Sequence, residues 1–138
     1  MYLRKEFTFD AAHNLIHYHG KCEALHGHTY RLAVVLSGMP DGEGMILDFS
    51  ELSQIVKDRV VSRLDHSYIN DILEQPTAEN IALWVWDQIE AEVSRPNCRL
   101  SLVEVWETRT SCVSLSAEDR ANLKSLQGKG LQGKELQG

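Results

Sequence analysis

Glu6-Phe7-Thr8-Phe9-Asp10-Ala11-Ala12-His13 alternates apolar Phe7, Phe9 and Ala11 with polar Glu6, Thr8 and Asp10, the period-two pattern of a strand with one face buried. The strand ends near His13. Asn14 to Leu25 then mixes His, Gly, Lys and Glu without a period and reads as a loop, followed by a second strand at about His28 to Leu36. Sequential strands usually lie side by side. This pair is therefore the frame on which the rest of the chain is placed.

Outward from it, Ser37 to Gly44 is rich in Gly and Pro and forms a turn region. Asp48-Phe49-Ser50-Glu51 has the spacing of a capping box. The helix it opens carries Leu52, Ile55, Val56, Val60 and Leu64 at three- and four-residue intervals and stops near Asp65. Pro76-Thr77-Ala78-Glu79 starts a second helix with Thr77 as cap; Ile81, Leu83, Trp84, Val85, Ile89 and Val93 supply its apolar surface, and Pro96 lies past its end. Arg99 to Glu107 returns to alternation, with Leu100, Leu102 and Glu104 on one side and Ser101, Val103 and Val105 on the other, and Ser111 to Ser116 can pair with it as a hairpin. The order ββααββ predicts an α+β fold, a four-stranded antiparallel sheet with two helices on one face. Its two free edges call for cover, which pairing with identical subunits would provide.

The 138 residues suit one domain over 1–118, with 119–138, where Leu126, Leu131 and Leu136 each begin a Leu-Gln-Gly repeat, read as an unstructured and functionally silent tail. A net charge of −6 argues against a nucleic-acid partner and leaves a small-molecule substrate. No apolar run approaches the roughly 20 residues that span a bilayer, and no export signal precedes the first strand. Three cysteines, Cys22, Cys98 and Cys112, without a CxxC spacing suit a reducing compartment. The expectation is a cytoplasmic protein with no membrane partner.

His26-Gly27-His28 places two imidazoles at i and i+2, on one face of an extended strand. His13 comes alongside if the first two strands pair, and three neutral nitrogens then leave a fourth position open, as in catalytic zinc sites. The same residues also fit ordinary hydrogen-bonded histidines. His17 and His19 repeat the spacing in a loop, where it fixes no common face, and read as solvated. Cys22, four residues before His26, can act as a thiolate base, close a structural site as fourth ligand, or be a plain thiol. Asp65-His66 can form a proton-relay pair or merely end a helix. Glu107 is either a solvated strand end or an acceptor for a fork of N–H donors, with Glu104 as the competing carboxylate. Lys21 is a candidate for meeting a phosphate.

Taken together, Phe7-Thr8-Phe9-Asp10-Ala11-Ala12-His13, Cys22-Glu23-Ala24-Leu25-His26-Gly27-His28, Leu64-Asp65-His66, Pro76-Thr77-Ala78-Glu79-Asn80 and Trp106-Glu107-Thr108 resemble the 6-pyruvoyltetrahydropterin synthase family from about Lys5 to Leu115. The CxxxHGH spacing is similar to its bacterial branch, the 6-carboxy-5,6,7,8-tetrahydropterin synthases of queuosine and deazapurine biosynthesis. The resemblance implies the tunnelling fold, with subunits closing their sheets into a barrel, as a trimer-based homo-oligomer up to a hexamer. It implies one zinc ion per chain on His13, His26 and His28, Cys22 as general base, Asp65 and His66 as a relay, and Glu107 with Thr108 at the pterin. The implied reaction turns 7,8-dihydroneopterin triphosphate into 6-carboxy-5,6,7,8-tetrahydropterin, acetaldehyde and triphosphate, without a redox cofactor. The sister reactions on the same scaffold, and a non-catalytic zinc-stabilised binding module, are the alternatives.

Overall fold

Strands β1 (Tyr2–His13) and β2 (His26–Gly38) pair antiparallel along their whole length in the computed structural model, which describes residues 1–128. The register runs from Tyr2 opposite Ser37 to His13 opposite His26. Directly opposed residues share a face, so the alternation of Phe7, Phe9 and Ala11 continues across the ladder into Leu32, Tyr30 and His28. Both strands extend beyond the expected bounds because their polar ends still complete the ladder.

A helical stretch follows, in three parts: α1 (Phe49–Val56), a π turn over Lys57–Val61, and α2 (Ser62–Leu64). Leu52, Val56, Val60 and Leu64 are all fully buried on one stripe. A strict four-residue row drifts by about 40° per step on an ideal helix, and the wider π turn takes part of that drift back. Only half of the expected capping box forms. The Asp48 carboxylate accepts from the Ser50 N–H at 2.7 Å, whereas Glu51 turns away to pair with Arg95 at 2.9 Å.

The chain next makes a two-residue strand, β3 (Ser67–Tyr68), parallel to β1, and a 3-10 turn over Ile69–Asp71. Thr77 caps α3 (Ala78–Val93) by accepting from the Asn80 N–H at 3.1 Å. Trp86, Ile81, Val85, Ile89 and Val93 seal its inner face, while Leu83 and Trp84 are only half-buried. Strands β4 (Cys98–Trp106) and β5 (Cys112–Ser116) complete a sheet of order β3-β1-β2-β4-β5. The expected four antiparallel strands are present; β3 makes the sheet five-stranded and mixed, because the turn out of α2 hydrogen-bonds back to β1.

Two further expectations are corrected. Leu100 is buried together with Val103 and Val105, on opposite parity. The register jumps between Val35 and Leu36, which face Leu102 and Leu100, so Ser101 is an extra residue that reverses the alternation. The chain is also not unstructured from residue 119, since α4 (Ala117–Gly128) is helical. Ser116 and Asp119 form a reciprocal capping box, with the Asp119 carboxylate accepting from the Ser116 N–H at 3.1 Å and the Ser116 hydroxyl accepting from the Asp119 N–H at 3.0 Å. Arg120 ties the helix to Asp87 of α3 at 3.0 Å. The remainder of the expected tail, 129–138, lies outside the described residues.

Helices α1 and α3 cover one face of the sheet, over Phe7, Phe9, Leu32, Val34, Leu36, Val103 and Val105. The other face is polar at its centre: Arg4 pairs with Glu104 at 2.7 Å, Ser114 donates to the same carboxylate at 2.7 Å, and Arg31 lies 4.0 Å over the Trp106 ring. Among the described residues, no helix is long and apolar enough to cross a membrane.

Candidate metal and active site

The buried rows of β1 and β2 run to the same end of the sheet and finish in histidine. On β1 the row Phe7, Phe9, Ala11 ends at His13; on β2 the row Leu32, Tyr30 ends at His28 and His26. Glu107 is the first residue past β4, its N–H donating to the Ser111 carbonyl at 3.1 Å. Where the helices stop covering the sheet, hydrocarbon therefore gives way to imidazole and carboxylate.

The three rings stand edge-on to one another, with centroids 4.7 Å apart for His13 and His26, 5.1 Å for His13 and His28, and 4.8 Å for His26 and His28. One ring nitrogen from each lies within 4.8 Å of the other two. Their outer nitrogens are committed to carbonyls: His13 Nδ1 lies 2.8 Å from the Pro76 oxygen and His26 Nδ1 2.9 Å from the Ala24 oxygen. A carbonyl only accepts, so in the neutral rings each Nδ1 carries the proton and each Nε2 a lone pair. These two lone-pair nitrogens face each other at 3.2 Å, an arrangement that repels unless a positive centre lies between them.

A metal ion removes the conflict. Tetrahedral zinc, with Zn–N of about 2.0–2.1 Å, separates neighbouring nitrogens by about 3.3–3.4 Å, close to the spacing found. The third histidine supports the same reading: among the described residues, His28 Nε2 is buried without a hydrogen-bond partner. Burial pushes the His28 pKa down, with His13 and His26 adding to the effect and Glu107 opposing it, which favours the neutral ring a metal requires. Glu107 Oε1 reaches to 3.2 Å from His13 Nε2 and 3.7 Å from His28 Nε2, a further negative group at the same point.

Cys22 is exposed, its thiol 3.6 Å from the Ile16 carbonyl. Its sulfur is not part of the group of converging ligand atoms, so the closed one-cysteine, three-histidine site does not form in this structure. Asp65 and His66 do pair, at 3.0 Å, but on the polar side of β1. There the Asp10 N–H donates to Asp65 at 2.9 Å, and the His66 N–H donates to the Asp10 carbonyl at 2.6 Å. That backbone hydrogen bond from Asp10, opposed by the cost of burial and reinforced by His66, holds the Asp65 carboxyl below the usual aspartate range. His66 has φ of 59° and a largely exposed ring. A shallow, open depression of about 540 Å³ is lined by Asp10, Gly27, His28, Thr29 and His66 among others, so the small Gly27 and Ala12 leave open ground between the dyad and β2.

The competing carboxylate is accounted for. Burial works against the charge on Glu104, but hydrogen bonds from Ser114 and Arg4 outweigh it and hold the carboxyl down, and its face is not that of the histidines. Thr108 is exposed, its hydroxyl accepting from the Thr110 N–H at 3.4 Å. His17 and His19 are exposed, as expected, and Lys21 is exposed as well. The Pro76 carbonyl, Asp10 and the buried Tyr30 hydroxyl, which has no hydrogen-bond partner among the described residues, also belong to the surroundings of these groups. Backbone acceptors leave no trace in side-chain pattern, and Tyr30 reads as one more core position of its strand.

The family model described as 6-pyruvoyl tetrahydropterin synthase matches residues 2–118. The chain is 44% identical over 114 residues to a Synechocystis protein named 6-carboxy-5,6,7,8-tetrahydropterin synthase, covering 78% of this chain and 86% of that one. It is 40% identical over 100 residues to a Pyrococcus furiosus dihydroneopterin monophosphate aldolase, covering 72% and 83%. The structure of a Caenorhabditis elegans 6-pyruvoyl tetrahydropterin synthase superposes with a TM-score of 0.72 over 85% of this chain and 95% of that one, at 24% identity, a likeness of fold. The chain belongs to the 6-pyruvoyl tetrahydropterin synthase family.

Proposed function

We propose that this family member is a zinc-dependent lyase that converts 7,8-dihydroneopterin triphosphate and water into 6-carboxy-5,6,7,8-tetrahydropterin, acetaldehyde and triphosphate, as a step of queuosine and related deazapurine biosynthesis in the cytoplasm. The observation that carries the reading is the convergence of three imidazole nitrogens, two of them carbonyl-oriented lone pairs 3.2 Å apart. The name of the Synechocystis relative supports the choice of product.

His13, His26 and His28 hold the ion. An ion held there would supply Lewis acidity toward the side-chain oxygens of the substrate and so would make the adjacent C–H bonds more acidic. Cys22, as thiolate, removes a proton from that carbon. His66, kept in orientation by Asp65, receives and returns protons on the other side of the substrate. Glu107, with Thr108 beside it, accepts from the 2-amino and N3 groups of the ring and fixes the register of the side chain over the histidines. The short edge strand β3 and the outer strand β5 pair with other copies in a homo-oligomer.

Incubation of the zinc-loaded protein with 7,8-dihydroneopterin triphosphate tests this directly. Acetaldehyde and a carboxylated tetrahydropterin are expected. A 6-pyruvoyl product, or an aldolase-type cleavage of the side chain, would move the chain to a sister activity on the same scaffold. No turnover of any pterin with zinc bound would leave the metal a structural role.

A further inference from the structure

We propose that Gln75 is a positioning residue, which sets the Cys22 thiol at its working distance from the metal ligands. This rests on the reading of Cys22 as base. The loop Asn14–Leu25 has few regular partners of its own, and its first residues are held by side-chain amides reaching from the segment before α3. Asn70 Oδ1 accepts from the Asn14 N–H at 3.0 Å, and Asn70 Nδ2 donates to the Asn14 carbonyl at 2.8 Å. Gln75 Oε1 accepts from the N–H groups of Ile16 at 2.8 Å and His17 at 3.2 Å, while its Nε2 donates to the His17 carbonyl at 2.9 Å. A carboxamide offers the same donor and acceptor as a peptide group. These two side chains therefore replace the neighbouring strand that β1 loses at His13.

The pinned residues are those that locate the thiol. Cys22 Sγ contacts the Ile16 carbonyl, in the peptide stretch that Gln75 grips. The next residue, Glu23, is tied to Leu15 by its N–H at 2.8 Å to the Leu15 carbonyl and by its carboxylate at 3.2 Å from the Leu15 N–H. On the other side, the residue after Gln75 orients a metal ligand, since the Pro76 carbonyl accepts from His13 Nδ1 at 2.8 Å. Gln75 and Pro76 thus refer the thiol and one imidazole to a single point on the chain. The peptide holding Pro76 stays in place if only the amide group of residue 75 is lost, so metal and thiol can be uncoupled by substitution.

The test compares Gln75→Met, which keeps the length and loses all three hydrogen bonds, with Gln75→Glu, which keeps two acceptors and loses the donor. Zinc per chain, kcat, KM and the site-resolved rate of Cys22 alkylation by iodoacetamide are measured on the full chain. Gln75→Met should retain its zinc and its KM while kcat falls by roughly 10- to 100-fold, the scale of a misplacement of about 1 Å. Its Cys22 alkylation rate should depart from that of the unsubstituted protein, and Gln75→Glu should fall between the two in both kcat and alkylation. Unchanged kcat and alkylation in Gln75→Met overturn the proposal. Loss of zinc also overturns it, by assigning the segment to the metal alone. If Gln75→Met does not fold, Gln75→Glu decides by the same readouts. Full turnover by Cys22→Ala would overturn the reading of the thiol as base and this inference with it, whereas an unchanged Gln75→Met would remove this inference alone.

Discussion

The histidines and Cys22 are placed by different means. His13 and His26 are opposite residues of a twelve-pair ladder, and His28 follows on the same strand; their positions are set by backbone hydrogen bonds that continue into a closed hydrophobic core. Cys22 lies in a loop whose backbone is held by three side chains, Asn70, Gln75 and Glu23. A ladder fails only when the sheet fails, whereas a side-chain clamp fails with one substitution. On the roles proposed above, the ion-binding half is thereby built into the fold, and the proton-transfer half is attached to it. Asp65 and His66, on the turn into β3, belong to the second kind.

Substitutions should divide along this line. His13→Ala is expected to have the largest effect, abolishing zinc binding and turnover together, since it removes a ligand that is 1% exposed and leaves the Pro76 carbonyl without its donor. His26→Ala should lower zinc content as well, and one zinc per chain in that variant, measured by elemental analysis, would remove it from the ligand set. Cys22→Ala should keep the zinc and lose about 100- to 10,000-fold in kcat, the range of a removed general base; joint loss of metal would make the thiol a ligand and erase the distinction. Glu107→Gln should weaken pterin binding by about 10-fold or more, as expected for one charge-assisted contact, with zinc content maintained. Unchanged pterin affinity by calorimetry would remove Glu107 as the anchor of the ring, and Glu104, held by Arg4 and Ser114 on the other face, does not replace it.

The smallest effect should come from Asp65. Its carboxyl is held below the ordinary value of 3.8, chiefly by the Asp10 N–H, so it contributes stability above the unfolded-state pKa that is lost as pH falls through the lower folded value. The difference in melting temperature between the unsubstituted protein and Asp65→Asn should therefore be present at neutral pH and fade below about pH 4. A difference that grew on acidification would contradict the hydrogen-bond account.

The same division decides what can be read in the sequence. Phe7, Phe9 and Ala11 announce a strand, and His26-Gly27-His28 announces a shared face, because period-two patterns are how a half-buried ladder is written. Once those strands are neighbours, His13 can come alongside the pair, and the register then sets it opposite His26. The bulge at Ser101 escapes such reading, since Leu100, Leu102 and Val103 are all plausible core residues and one extra residue leaves no mark in composition. The Ser116 and Asp119 pair is a legible capping box, obscured by the Leu-Gln-Gly repeats that follow it. The carbonyl of Pro76 and the amides of Asn70 and Gln75 depend on tertiary approach over more than fifty residues of chain, and no local pattern encodes that.

X-ray absorption at the zinc edge of the substrate-free protein tests the central claim most directly. A first shell of three imidazole nitrogens and one oxygen, at about 2.0–2.1 Å and with no sulfur, is the predicted result. A sulfur at about 2.3 Å would place Cys22 on the metal and contradict the separation of ligand and base on which the account depends.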